Sequence, residues 1–199
     1  MSITAQQFQQ LQDRVARRVP KPAVEHVVSA RTDHSVILGI DPSLRGTGYG
    51  VIRVAGRTPK LLAQGTVKCA ASLTRVQCLA RIAQTLRDTI RACAPTVCVV
   101  EGLFYAQNLQ TALIMGEARG ASLVAAAEAG LEVFEIAPRK VKQAVVGYGA
   151  AQKFAVAKMV QRMLQLSEAP APDAADALAL ALTYAQESRS PIARVSRKL

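Results

Sequence analysis

The sequence has no tryptophan, and only 4% of its 199 residues are aromatic. A core made without large rings has to come from alanine, valine and leucine, which suits helices packed on a sheet. There are two histidines, His26 and His34, and both precede the first strong apolar run. That placement argues against a Ser-His-Asp or Cys-His device inside the domain, and against a histidine-rich metal site. The four cysteines, Cys69, Cys78, Cys93 and Cys98, form no C-x-x-C pair and have no histidine nearby to complete a zinc set. They read as small buried hydrophobes of a reducing compartment. No apolar run reaches about 18 residues and no secretory leader pattern is present, so neither a membrane span nor export is expected. No repeat occurs at solenoid periods. Acids are also scarce: 14 Asp and Glu stand against 25 Lys and Arg, a net charge of +11. That excess favours a polyanionic partner, most simply nucleic acid. With so little histidine, metal chemistry would fall to carboxylates, whose hard oxygens suit Mg²⁺ or Mn²⁺.

The chain turns on the stretch VILGIDPSLRGTGYGVI, residues 36–52. Val36 to Ile40 is a short apolar run of strand length, closed by the carboxylate of Asp41. Pro42 and Ser43 open a turn, Gly46 and Gly48 are expected to supply its backbone angles, and a second strand follows from Gly48. Asp before Pro often caps such a turn, so Asp41 alone decides little. Leu61 to Cys69 reads as a third strand, and Leu73 to Cys93 as a helix with Ser72 as its N-cap. Thr96 to Val100 is then a second buried strand ending in an acid, Glu101. Two central strands that each close on a carboxylate are hard to explain by turn chemistry. Asn108 to Ala129 is a long helix carrying Gly116 and Gly120 on one face. Leu131 to Ile136 is a fifth strand, Pro138 begins another helix, and Gln152 to Leu166 is helical. The last helix, Asp173 to Tyr184, places Asp173 and Asp176 on a shared face. Acids in a first turn also suit free N–H groups and the helix dipole, which is the rival explanation for both.

Asp41, Glu101, Asp173 and Asp176 together, at strand ends and a helix start in so basic a chain, read as a metal cluster. Two ions about 4 Å apart would activate a water and stabilise the leaving oxygen of a phosphodiester. Between Ile136 and Ser167 there is no acid, but there are Arg139, Lys140, Lys142, Lys153, Lys158 and Arg162. Lys142 and Lys153 flank the VVGYG turn and are the first candidates for phosphate contacts, with Arg139 and Lys140 beside them. Phe104 and Tyr105 follow Glu101 closely, and an exposed aromatic there would stack on an unpaired base. Residues 1–34 read as an N-terminal extension, 35–187 as the main domain, and 188–199 as a basic, mobile tail. A mixed five-stranded sheet flanked by helices accounts for the order of elements.

The motifs ILGIDPSLRGTGYGVI, VVEGLFYAQN, ARG, RKVKQAVVGYGAAQK and DAADALALALT occur in one order over about residues 36–186. In that order they resemble the RuvC family of Holliday-junction resolvases. The resemblance implies an α/β, ribonuclease H-like fold and a homodimer that cuts two opposed strands of a four-way DNA junction. It implies Mg²⁺ as cofactor, replaceable by Mn²⁺, with two ions per site. It also implies a branch-migration helicase partner and a cytoplasmic, nucleoid-associated location. Carried over residue by residue, the metal-binding acids fall on Asp41, Glu101, Asp173 and Asp176. The stacking aromatic falls on Phe104, the phosphate-binding lysines on Lys142 and Lys153, and the dimer helix on the one with Gly116 and Gly120. Ser43 stands where many members have Gly, Gln107 where some have Lys, and the extension has no counterpart.

Two other classes share part of this pattern. A sugar-kinase or actin-like ATPase also opens on a GID strand and a Gly/Thr turn, but needs a second Asp-Gly-Gly phosphate loop, which is absent here. A binding module with a degenerate site is at odds with four intact acids. GTGYG is no dinucleotide fingerprint, because a strand and not a helix follows it.

Overall fold

The computed structural model describes residues 34–56, 58–102, 109–189 and 196–199. All of the expected extension except His34 lies outside them. His34 to Leu199 form one compact unit.

The unit has three layers. Its sheet contains β1 (Val36–Asp41), β2 (Gly46–Arg53), β3 (Lys60–Lys68), β4 (Val97–Glu101), β5 (Glu132–Ile136) and β6 (Arg197–Lys198), in the spatial order β3-β2-β1-β4-β5-β6. The first three strands form an antiparallel meander, β1, β4 and β5 run parallel, and β6 returns antiparallel to β5. Side chains alternate between the two faces. Ile37, Ile52, Val97, Val99, Phe134 and Ile136 pack with α3 (Pro138–Val146), α4 (Lys153–Met163) and α5 (Pro172–Arg189). Leu38, Ile40, Val51, Cys98 and Val100 pack with α1 (Arg75–Cys93) and α2 (Leu109–Glu128). Cys69, Cys78 and Cys98 are buried as expected, Cys93 at the end of α1 is only partly buried, and none of the four forms a disulfide.

Several boundaries differ from expectation for physical reasons. The N-cap of α1 is Thr74, not Ser72. Thr74 is followed three residues later by Gln77, whose side chain returns to the Thr74 N–H, while the corresponding residue after Ser72 is Arg75. Helix α4 stops at Met163, and Gln165 then takes a left-handed φ of 53°. Helix α5 continues to Arg189, and Arg197 and Lys198 pair with Glu135 and Phe134 as a sixth strand. The described part of the tail is therefore anchored: Ser196 N donates to Glu187, and Lys198 pairs with Glu132. A two-residue strand is too short to show alternation in sequence.

Candidate functional site

Two neighbouring strands and one helix place the four acids. Strands β1 and β4 run in parallel up to the pair Ile40 and Val100, and each then ends on its acid. Asp41 has the strand parity of Ile37 and Gly39, and Glu101 that of Val97 and Val99. Both therefore face the α5 side of the sheet. The turn after Asp41 is pinned by Thr47, whose buried hydroxyl donates to the Ser43 carbonyl at 2.6 Å and accepts from the Ser43 N–H at 3.2 Å. Arg45 then ties the turn to the carbonyls of Ala70 and Leu73.

Glycines bring the helix down onto these strand ends. Gly39 pairs with Gly50 across the β1–β2 ladder, and Asp41 with Gly48. A Cβ on Gly48 would lie 1.9 Å from the Asp173 carbonyl oxygen, and one on Gly39 would lie 2.0 Å from that of Ala177. One on Gly50 would meet Leu178 at 2.5 Å, and one on Gly46 would sit 3.1 Å from Asp173 Oδ2. The start of α5 thus lies directly on the residue paired with Asp41, which delivers Asp173 to that corner. Neither Gly46 nor Gly48 has a positive φ. The expectation that they serve turn geometry is corrected: they serve the close approach of α5.

Asp173 is the second residue of α5 and suits the helix dipole. Asp176 is the fifth, past the four residues whose N–H groups lack intrahelical partners, so capping does not account for it. Its carboxylate instead pairs with Lys153 Nζ at 3.2 Å. Burial, more than any neighbour, raises both strand-end acids. Glu101 is pushed up to about 8 by burial, then by the charge of Asp41, the hydrogen bond between them and the charge of Asp176, against the pull of Lys153. Asp41 is raised by burial, opposed by the same hydrogen bond and by Lys153. Near neutral pH the pair holds a proton, Glu101 donating to Asp41. Burial works against the Lys153 ammonium, but Asp176, Asp41 and Asp173 hold it net above the ordinary lysine range.

The four acids are coupled without forming a closed cage: among the described residues, no three acids, histidines or cysteines stand ready to hold a metal. An open set still fits Mg²⁺, which keeps several waters and needs only one or two carboxylates with substrate phosphates. A cleft of about 660 Å³ beyond the β1–β2 turn, lined by Ser43, Arg45, Thr74, Arg75 and Met115 among others, contains none of the four acids.

Other expected residues fall as follows. Lys153 belongs to the acid corner through Asp176. Lys142 is half-buried on α3, and Arg139 and Lys140 are exposed on its first turn. The Arg139 side chain packs against Gly149. Phe104, Tyr105 and Gln107 lie outside the described residues. Gly116 and Gly120 do not pack on the chain's own sheet: a Cβ on either would meet nothing within 4 Å. They share a stripe of α2 with Leu109, Leu113 and Val124, which are exposed at 75%, 59% and 50%. The residue that sequence reasoning left without a role is Arg119. It is buried on the inner side of α2 and touches the end of β4. No helix among the described residues is long and apolar enough to cross a membrane.

The family model described as "Crossover junction endodeoxyribonuclease RuvC" matches residues 37–184. A protein of that name from Akkermansia muciniphila is 47% identical over 148 residues, covering 74% of this chain and 89% of the relative. One from Pasteurella multocida is 48% identical over 151 residues, covering 76% and 79%. Among solved structures, T. thermophilus RuvC in complex with Holliday junction substrate superposes with a TM-score of 0.76 at 38% identity. It covers 83% of this chain and all of that one.

Proposed function

The chain belongs to the RuvC family of crossover junction endodeoxyribonucleases, and on that premise we propose how its own residues do the work. The fold is ribonuclease H-like, and the activity is resolution of Holliday junctions by paired, symmetric cuts in DNA. The observation that carries the mechanism is the meeting of four carboxylates from β1, β4 and α5 at one corner of a chain of net charge +11.

In this reading Asp41, Glu101, Asp173 and Asp176 hold divalent metal, Mg²⁺ or Mn²⁺, two ions to a site. Bound there, the metal supplies an acidified water as nucleophile and positive charge for the leaving oxygen. Glu101 gives up its proton as the site is loaded, because a metal ligand must be ionised. Lys153 offsets part of the carboxylate charge through Asp176, so that a phosphate can approach. Lys142, Arg139 and Lys140 take backbone phosphates and set the register of the strand. Phe104, with Tyr105, stacks on a base opened at the crossover. Residues 35–187 are the nuclease domain, with the extension and the basic tail as accessories. Two copies join through the exposed stripe of α2, where small residues permit close helix approach, and a branch-migration helicase complex delivers the junction.

A synthetic four-way junction, labelled in turn on each strand and incubated with and without Mg²⁺, tests this reading. Paired nicks at symmetric positions, only with metal, are expected. Strand-independent nicking would make the chain a general nuclease, and a shifted but uncut band would make it a binding module.

A further inference from the structure

Arg119 is only 7% exposed, and a buried arginine needs partners for its fork of donors. It has two. Nη1 donates to the backbone carbonyl of Glu101, and Nη2 donates to Glu135 Oε2 at 2.6 Å. Glu135 lies on β5, one residue before Ile136, which is the ladder partner of Glu101. Strand parity puts the Glu135 side chain on the α2 face of the sheet, opposite the face from which Glu101 reaches the acid corner. The guanidinium therefore grips the last residue of β4 from behind. The β1 ladder has already stopped one residue earlier, at Ile40 and Val100. Among the described residues, the backbone of this strand end is held by the β5 ladder, including the Gly102 N–H donated to the Ile136 carbonyl at 2.9 Å.

We propose that Arg119 is a positioning residue that clamps the end of β4 to β5 and so fixes where the Glu101 carboxylate is presented. An ion pair with Glu135 alone would be a poor reason for the arrangement, because apolar residues of similar volume fill such a space at less desolvation cost. The second hydrogen bond, to a residue of the acid corner, is what a charge-neutralising role leaves unexplained. Losing a group that orients a metal ligand typically costs about 10- to 100-fold in metal affinity. The inference rests on the reading of Glu101 as a metal ligand.

The test uses the full chain, with Mn²⁺ as the probe. Arg119→Met leaves the half-buried Glu135 charge without its arginine, so its melting temperature is expected to fall. Adding Glu135→Gln removes that charge and is expected to restore it. Arg119→Lys keeps the charge but reaches one acceptor. In both the double variant and Arg119→Lys, Mn²⁺ affinity without DNA, read from the free-ion electron paramagnetic resonance signal, should fall about tenfold or more. Single-turnover junction cutting should fall with it, while junction binding without metal stays at the parental level. Parental Mn²⁺ affinity and cutting in either variant would overturn the proposal and leave Arg119 as the counter-charge of Glu135. If the unaltered chain bound Mn²⁺ but cut no junction, the resolvase reading would fail, and the Mn²⁺ arm would still decide the role of Arg119.

Discussion

Glu101 shows how much one side chain's chemistry depends on its surroundings. In the unfolded chain it ionises near its ordinary 4.5, while in the fold burial and Asp41 hold its proton up to about 8. Between those values the folded state binds more protons than the unfolded one, so stability falls as pH rises from about 4.5 to about 8. The cost of the ionised form above that window is on the order of a few kcal/mol. Glu101→Gln removes the ionisation. In metal-free buffer its melting temperature should therefore exceed the parent's at pH 8 and approach it at pH 5. The same offset at both values would mean that Glu101 titrates normally. Divalent metal should stabilise the parent at pH 8, where it replaces a proton that is already leaving, more than at pH 5.

At the scale of elements, the corner depends on α5 lying against bare backbone. Gly48→Ala puts a methyl carbon where the structure has the Asp173 carbonyl oxygen 1.9 Å away, so the helix has to move. The expected cost is about 1–3 kcal/mol in urea unfolding. Cutting should fall further than stability, because Asp173 and Asp176 move with the helix. Parental cutting by this variant would show that the position of α5 is not critical. The strands and their terminal acids are legible in sequence, since apolar runs closed by Asp41 and Glu101 need no tertiary knowledge. The period of α1 and the Pro138 start of α3 are equally open to reading. What the glycines do is not legible one at a time, because a turn glycine and a packing glycine look alike. The available signal is that Gly46, Gly48 and Gly50 recur with strand period, placing a bare stripe on one face of β2. Arg119 gives no such signal: its partners come from strands 16 and 18 residues away in sequence.

The unit from His34 to Leu199 presents two features of opposite character: the exposed apolar stripe of α2, and the acid corner with Lys153 paired to Asp176. Gly120→Leu adds bulk where the single chain has open space. Its melting temperature at low concentration should stay close to the parent's, while light scattering should show a shift toward monomer from the dimer proposed to form through this stripe. An unchanged dimer mass would move the interface elsewhere. In the proposed site the four acids hold metal for cutting, and Asp173 and Asp176 are not merely helix caps. Asp176→Asn tests this most directly, because Asp176 lies beyond the capping turn and Asn keeps the size of Asp. The measurement is single-turnover junction cleavage in Mg²⁺, paired with junction binding without metal. Cutting should fall by more than about two decades, or ~2.7 kcal/mol of transition-state stabilisation. Binding should stay the same or tighten as one negative charge leaves the surface. Robust cutting by Asp176→Asn would contradict the four-acid site.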